Sequence, residues 1–205
     1  FGSQGQARAA VNVVQQQGII KGMVVDAKGE PIIGANVVAT GTTNGTITDI
    51  DGVWTDGGMY YTAEGDVMKR FSVKDGWGIV LLRELNIPIA IMTGENSQVV
   101  RKRAEKLKIE HCYLQVQDKL AKAKEICSEL GITLDDVAFI GDDLNDIHLL
   151  RAVGFSASPY NTPDYVKREV DYVTATNGGY GAFREFVEKI LADNGVLQQV
   201  LLKFM

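Results

Sequence analysis

The residues best suited to chemistry are carboxylates, a lysine and a threonine, each close behind a short strand-like run. Asp49-Ile50-Asp51-Gly52 follows Thr46-Ile47-Thr48, and Thr93-Gly94-Glu95 follows the run 87–92. Lys119 comes shortly after 112–116, and Gly141-Asp142-Asp143 follows 136–140. Two carboxylates two positions apart would stand roughly 6.6 Å apart on one face if both lay in regular strand, leaving room for a phosphate and a metal ion. Covalent phosphoryl transfer needs a carboxylate nucleophile, a proton donor, a divalent cation and groups that hold the phosphoryl oxygens. These four segments offer a candidate for each. Taken singly they say less. Asp-x-Asp-Gly also suits a turn or a calcium-loop fragment, Lys119 a solvated helix start, and Asp142 or Asp143 a helix N-cap.

The elements that must position these residues alternate along the chain. Residues 87–92, 112–116 and 136–140 read as buried strands, and between them 95–107 and 118–130 repeat apolar residues at helical spacing. Val99, Val100, Ala104 and Leu107 share one face of the first helix. Leu120, Ala123, Ile126, Cys127 and Leu130 share one face of the second, and Gly131 supplies its stop. Strand, helix, strand in this rhythm predicts an α/β fold, a doubly wound and mostly parallel Rossmann-like sheet with its site at the carboxyl ends of the strands. Residues 57–73 read as a β-hairpin around Ala63-Glu64-Gly65-Asp66, leading into a helix near Lys74-Asp75-Gly76.

The first 47 residues differ in composition. Their charges are Arg8, Lys21, Asp26, Lys28 and Glu30, and apolar β-rich runs are joined by turn segments. We therefore divide the chain into a β-rich appendage at 1–47 and a main domain at 48–205. Ala7-Arg8-Ala9 suits both the tail of a secretory signal peptide and an ordinary frayed terminus. Thr42 to Thr48 is polar for a buried central strand and predicts a poor one. Asp26 follows an apolar run but has Lys28 where a second carboxylate would be required, so it is set aside as a nucleophile. His111 and His148 lack metal-ligand spacing, and Cys112 and Cys127 read as reduced structural thiols.

Bulk properties exclude some functions. With 205 residues, 45% hydrophobic, 23% charged and a net charge of -5, the chain is a globular domain without the basic surface that nucleic acid demands. No stretch reaches the roughly 20 apolar residues needed to span a bilayer, so no membrane partner is expected.

Two resemblances can now be named. Residues 18–52 resemble the small β-sandwich segment that precedes the plug of TonB-dependent nutrient receptors. On Asp49-x-Asp51-Gly52-Val53, Thr93, Lys119 and Gly141-Asp142-Asp143, residues 48–192 resemble the haloacid dehalogenase superfamily of phosphatases. That second likeness implies Asp49 as nucleophile and Asp51 as acid and then base, with Thr93 and Lys119 as phosphate ligands. It implies magnesium on Asp49, Asp142 and the Asp51 carbonyl, with Asp143 and Asp146 in support. A noncatalytic receptor-derived module and an inactive phosphatase scaffold are the competing readings.

Gly57-Gly58-Met59-Tyr60-Tyr61 and the segment 75–85 resemble the capless branch that hydrolyses phosphates of eight- and nine-carbon keto-sugar acids. Neither gap between motifs has room for a cap. The resemblance implies a homotetramer in the cytoplasm, with one subunit's hairpin helping to cover the next subunit's site. In that branch the eight-carbon enzymes usually carry Arg after Thr-Gly and the nine-carbon enzymes Glu. Glu95, with Gly94, therefore points first to a nine-carbon 9-phosphate and second to 3-deoxy-manno-octulosonate 8-phosphate. Arg103 and Lys106 share a helix face and are candidate substrate ligands, although with Arg101, Lys102 and Lys108 they also fit a solvated basic stripe.

Overall fold

The computed structural model describes residues 44–205. Six parallel strands form one sheet in the order β5-β4-β1-β6-β7-β8, where β1 is Gly45–Asp49, β4 Ile89–Met92, β5 His111–Tyr113, β6 Val137–Ile140, β7 Phe155–Ser158 and β8 Tyr172–Val173. A separate antiparallel hairpin joins β2 (Tyr60–Thr62) to β3 (Gly65–Met68). The α/β expectation holds, and no cap domain interrupts the sheet among the described residues. None of their helices is long and apolar enough to cross a membrane.

Helices cover both faces. Helix α1 (Val73–Glu84) packs with α6 (Ala182–Asp193) on one side, and Gly78 lets them meet, because a Cβ there would stand 3.0 Å from the Phe183 ring. Helix α3 (Lys119–Leu130) covers the other side through Ala123, Ile126 and Cys127, which lie with Ile47, Met92 and Phe139. The sequence signals for α3 hold at both ends. Asp118 caps its first turn by accepting from the Ala121 N–H at 2.9 Å, and Gly131 closes it at φ +68°. Helix α2 (Gln98–Leu107) ends without glycine, on Lys108 at φ +57°.

Two expectations need correction. The strand predicted at 112–116 is shorter and starts at His111; Gln115 takes φ +56°, and the N–H of Val116 donates to the Thr93 carbonyl, which bends the chain over the end of β4. The first strand is also not poor. β1 is buried along its whole length, paired on both sides, and begins at Gly45, so it crosses the boundary placed near Ile47. Part of its polar face is accommodated because the Thr48 hydroxyl accepts from Trp54 Nε1 at 3.0 Å, while Trp54 is itself buried 4.6 Å from Phe183. That bond offsets the cost of burying Thr48, whereas the buried Thr46 hydroxyl on the same face has no hydrogen-bond partner.

Because β4 lies on one side of β1 and β6 on the other, β1 is the point where the winding of the sheet reverses. Ligands of open α/β sheets bind at the carboxyl end of such a strand.

Candidate active site

β1 ends at Asp49, and the chain then coils, with the N–H groups of Trp54 and Thr55 both donating to the Ile50 carbonyl. Asp49 and Asp51 are consequently not two positions of one strand face. Their carboxylates serve different neighbours.

Asp49 is 5% exposed. Its Oδ1 accepts from the Ile50 N–H at 2.7 Å, and its Oδ2 lies 3.2 Å from Lys119 Nζ. Lys119, buried in the first turn of α3, is also 2.5 Å from Asp146 Oδ1. The other oxygen of Asp146 accepts from the N–H groups of Asp142 (2.9 Å) and Asp143 (3.2 Å), which folds the loop after β6 around it. Two glycines make this close approach possible. A Cβ on Gly141 would stand 2.6 Å from Asp146 Cγ; one on Gly52, at φ +73°, would stand 1.9 Å from Asp142 Oδ2.

The electrostatics are those of acids crowded around one cation. Burial, then Asp146 and Asp142, push the Asp49 carboxyl well above the usual range even though Lys119 pulls it down. Burial and Asp146 raise Asp142 to about 7. Burial disfavours the Lys119 ammonium, but Asp49 and Asp146 outweigh it and the net shift is upward. Lys119 divides its charge between two acids and so offsets only part of the burial that raises Asp49. Oxygens of Asp49, Asp142 and Asp146 all lie within 4.8 Å of one another. A set of hard oxygen donors, Asp49 and Asp146 buried and Asp142 half-buried, carrying more negative charge than one lysine balances suits a magnesium-like cation.

Asp51 stands on the other side of the site. Its Oδ1 lies 2.7 Å from Lys69 Nζ and its Oδ2 accepts from the Thr93 hydroxyl at 2.7 Å, while that hydroxyl accepts from the Glu95 N–H at 3.0 Å. Asp51, Lys69 and Glu95 line a cavity of about 90 Å³ floored by Gly57 and Gly58. A larger cavity, about 360 Å³, opens near Arg83, Pro88 and Lys108, away from these carboxylates, and has no part in this chemistry.

The structure therefore gathers Asp49, Asp51, Thr93, Lys119, Asp142 and Asp146 at the carboxyl ends of the central strands. The Asp51 carboxylate, expected as acid and base, is turned from the acidic group, and Asp146, expected in support, pairs with Lys119 and lies within reach of Asp49 and Asp142. Asp143 is exposed and accepts from the Leu144 N–H at 2.7 Å. Gly94, Glu95 and Lys106 are exposed; Arg103 instead donates to the Ser72 carbonyl at 3.3 Å and lies over the Phe71 ring, bracing α2 against the start of α1. Lys69 was missed. It follows a hairpin strand, and no spacing ties it to Asp51 eighteen residues earlier in the chain.

Comparison with known proteins agrees with this geometry. Residues 115–185 match the haloacid dehalogenase-like hydrolase family. The 3-deoxy-D-manno-octulosonate 8-phosphate phosphatase of Haemophilus influenzae is 40% identical over 149 residues, 73% of this chain and 83% of that protein. The Escherichia coli K12 enzyme of the same name is 35% identical over 75% of this chain and 81% of its own length. The cobalt-bound Haemophilus structure superposes with a TM-score of 0.75 at 37% identity, covering 78% of this chain and 97% of that one. A Moraxella catarrhalis phosphatase of this name, in complex with magnesium, phosphate and KDO, gives 0.76 at 36% identity over 79% and 93%. These findings support the phosphatase resemblance and not the receptor one. The described end of the receptor-like segment, Gly45–Gly52, is β1 and its turn, while residues 18–43, Asp26 and Ala7-Arg8-Ala9 lie outside the described residues.

Proposed function

The chain belongs to the haloacid dehalogenase-like hydrolases and is a phosphatase, and from that premise we propose that it hydrolyses the phosphomonoester of a keto-sugar acid, 3-deoxy-manno-octulosonate 8-phosphate, with magnesium. The observation that carries this reading is the buried cluster of Asp49, Lys119, Asp142 and Asp146 at the switch point of the sheet, in a chain 40% identical to an octulosonate phosphatase.

In the proposed reaction the Asp49 carboxylate attacks phosphorus, the ester P–O bond breaks, and the leaving alkoxide takes a proton from Asp51. Asp51 then removes a proton from water, the water oxygen attacks the aspartyl-phosphate, and the P–O bond to Asp49 breaks to give inorganic phosphate and the free carboxylate. Lys119 and the Thr93 hydroxyl hold nonbridging oxygens. Asp49 and Asp142 would hold the cation together with the Asp51 carbonyl, and Asp146 keeps Lys119 and the loop in place. Bound there, magnesium offsets repulsion between the nucleophile and its anionic substrate.

A specific observation favours a second reading, the nine-carbon 9-phosphate first expected from the sequence: Glu95 follows Thr93-Gly94 and lines the cavity beside Asp51. Phosphate release from both esters, with and without EDTA, distinguishes them. The proposed function predicts magnesium-dependent release, faster from the eight-carbon ester. Glu95→Arg should then leave that ester hydrolysed at a similar rate, whereas a loss about tenfold greater on the nine-carbon ester than on an aryl phosphate would transfer the assignment. No release from any sugar-acid phosphate would sink both readings.

The hairpin supports assembly with other copies of the chain. Met59, Tyr61, Val67 and Met68 are each more than half exposed, on a two-stranded unit that is marginal alone. A tetramer is the expected result by sedimentation, with Tyr61→Asp and Met68→Asp together shifting it to smaller species. A monomeric parent protein would refute this.

A further inference from the structure

We propose that Lys69 is a positioning residue for the acid-base chemistry of Asp51, holding that carboxylate against the cavity into which the ester oxygen departs. The inference rests on the phosphatase reading above and concerns a residue that reading does not use.

Three observations converge. The Lys69 side chain is 4% exposed, and its ammonium stands 2.7 Å from Asp51 Oδ1. An ammonium is rarely withdrawn from water to this degree without a specific anionic partner, and such a charge-assisted bond constrains direction as well as distance. Second, Lys69 is held by the fold rather than by its own side chain alone. The chain returning from the hairpin bridges to Thr55 at Phe71, and neighbouring Arg70 donates to the Gly179 carbonyl at 3.0 Å. The chain just after Lys69 is thus fastened at two points, Thr55 and Gly179, close to the turn that carries Asp51. Third, Lys69, Asp51 and Glu95 line the same cavity of about 90 Å³, beside the cluster where phosphorus would sit.

The second contact of Asp51 explains why Lys69 matters during turnover. In the structure Thr93 donates its hydroxyl to Asp51 Oδ2. In the proposed reaction that hydroxyl turns to a phosphoryl oxygen, and the bond to Asp51 is given up. Lys69 then keeps the carboxylate from rotating away while it delivers and later retrieves a proton. A general acid contributes only while held within hydrogen-bond reach of the departing oxygen. A poor leaving group, such as a sugar alkoxide, depends on that proton; a nitrophenolate does not.

The dependence on leaving group gives the test. Lys69→Met and Lys69→Arg are compared with the parent enzyme at saturating magnesium, on octulosonate 8-phosphate and on p-nitrophenyl phosphate. Lys69→Met is expected to lower kcat on the sugar ester by about 30-fold and on the aryl ester by no more than about 3-fold, with KM for the sugar ester nearly unchanged. Lys69→Arg is expected to recover most of the loss. In an Asp51→Asn background, Lys69→Met should cost little more, since a residue acting through Asp51 has nothing left to position. Equal losses on both esters, a rise in KM without a fall in kcat, or a full additional loss in the Asp51→Asn background would each overturn the proposal. If Lys69→Met fails to fold, Lys69→Arg decides alone: a variant as inactive on the aryl ester as on the sugar ester would count against it. Failure of the parent enzyme on every phosphate ester would instead remove the phosphatase reading, and Lys69 with it.

Discussion

Asp49→Asn is expected to reduce phosphate release by about 10⁴-fold or more, the largest effect of any single substitution in this protein. An amide oxygen cannot form the covalent intermediate, yet the change is small in shape. Asparagine can still accept from the Ile50 N–H, and Lys119 retains Asp146. The fold should therefore survive. In the absence of magnesium it should melt no lower than the parent protein, because burial and two nearby acids already disfavour the Asp49 carboxylate, and a neutral amide relieves that burden. The measurement is phosphate release beside thermal melting without metal. More than a tenth of parental activity in a folded Asp49→Asn enzyme would remove Asp49 from the nucleophile's place.

Magnesium binding should weaken steeply as pH falls. Asp142 in the metal-free site titrates near 7, raised by burial and by Asp146, and Asp49 is also raised. Below that pH a proton occupies a ligand oxygen and must leave before the cation can bind, so each unit below 7 is expected to cost about tenfold in affinity. The same shifts set the sign of stability. A carboxyl whose folded value lies above its unfolded value favours folding at acid pH, and that contribution is lost as pH rises from about 4 through 7. The metal-free protein should thus lose stability over this window while the gain from magnesium grows. Melting at pH 5.5, 6.5, 7.5 and 8.5, with and without magnesium, tests both trends. A magnesium-induced shift that stays constant or shrinks toward pH 8.5 would contradict the cluster as the cation site.

The legible parts of the site were those encoded locally. Thr93, Lys119 and Asp142 could be located because each follows an apolar strand, and strand ends converge in a parallel sheet. Asp118 and Gly131 marked the ends of α3 because capping is chemistry between residues a few positions apart. Arg103 shows the limit of the same reasoning. Its spacing from Lys106 was read correctly as a shared helix face, but spacing does not say what that face meets, and Ser72 and Phe71 take its guanidinium.

Sequence alone determined the α/β alternation, the parallel sheet and the four strand ends that carry the chemistry, since hydrophobic period and capping report local burial and local backbone geometry. Only the tertiary structure decided that polar Thr46 to Thr48 lies in the central strand, that Asp146 packs beside Asp49 and Asp142 as well as Lys119, and that Lys69 faces Asp51. Each of those outcomes depends on partners distant in the chain: Trp54 and the strands either side of β1, the loop after β6, and the hairpin returning past Thr55. Such contacts form when the sheet closes, and the energy of a buried hydroxyl or carboxylate is set by the groups it then meets rather than by its neighbours in sequence.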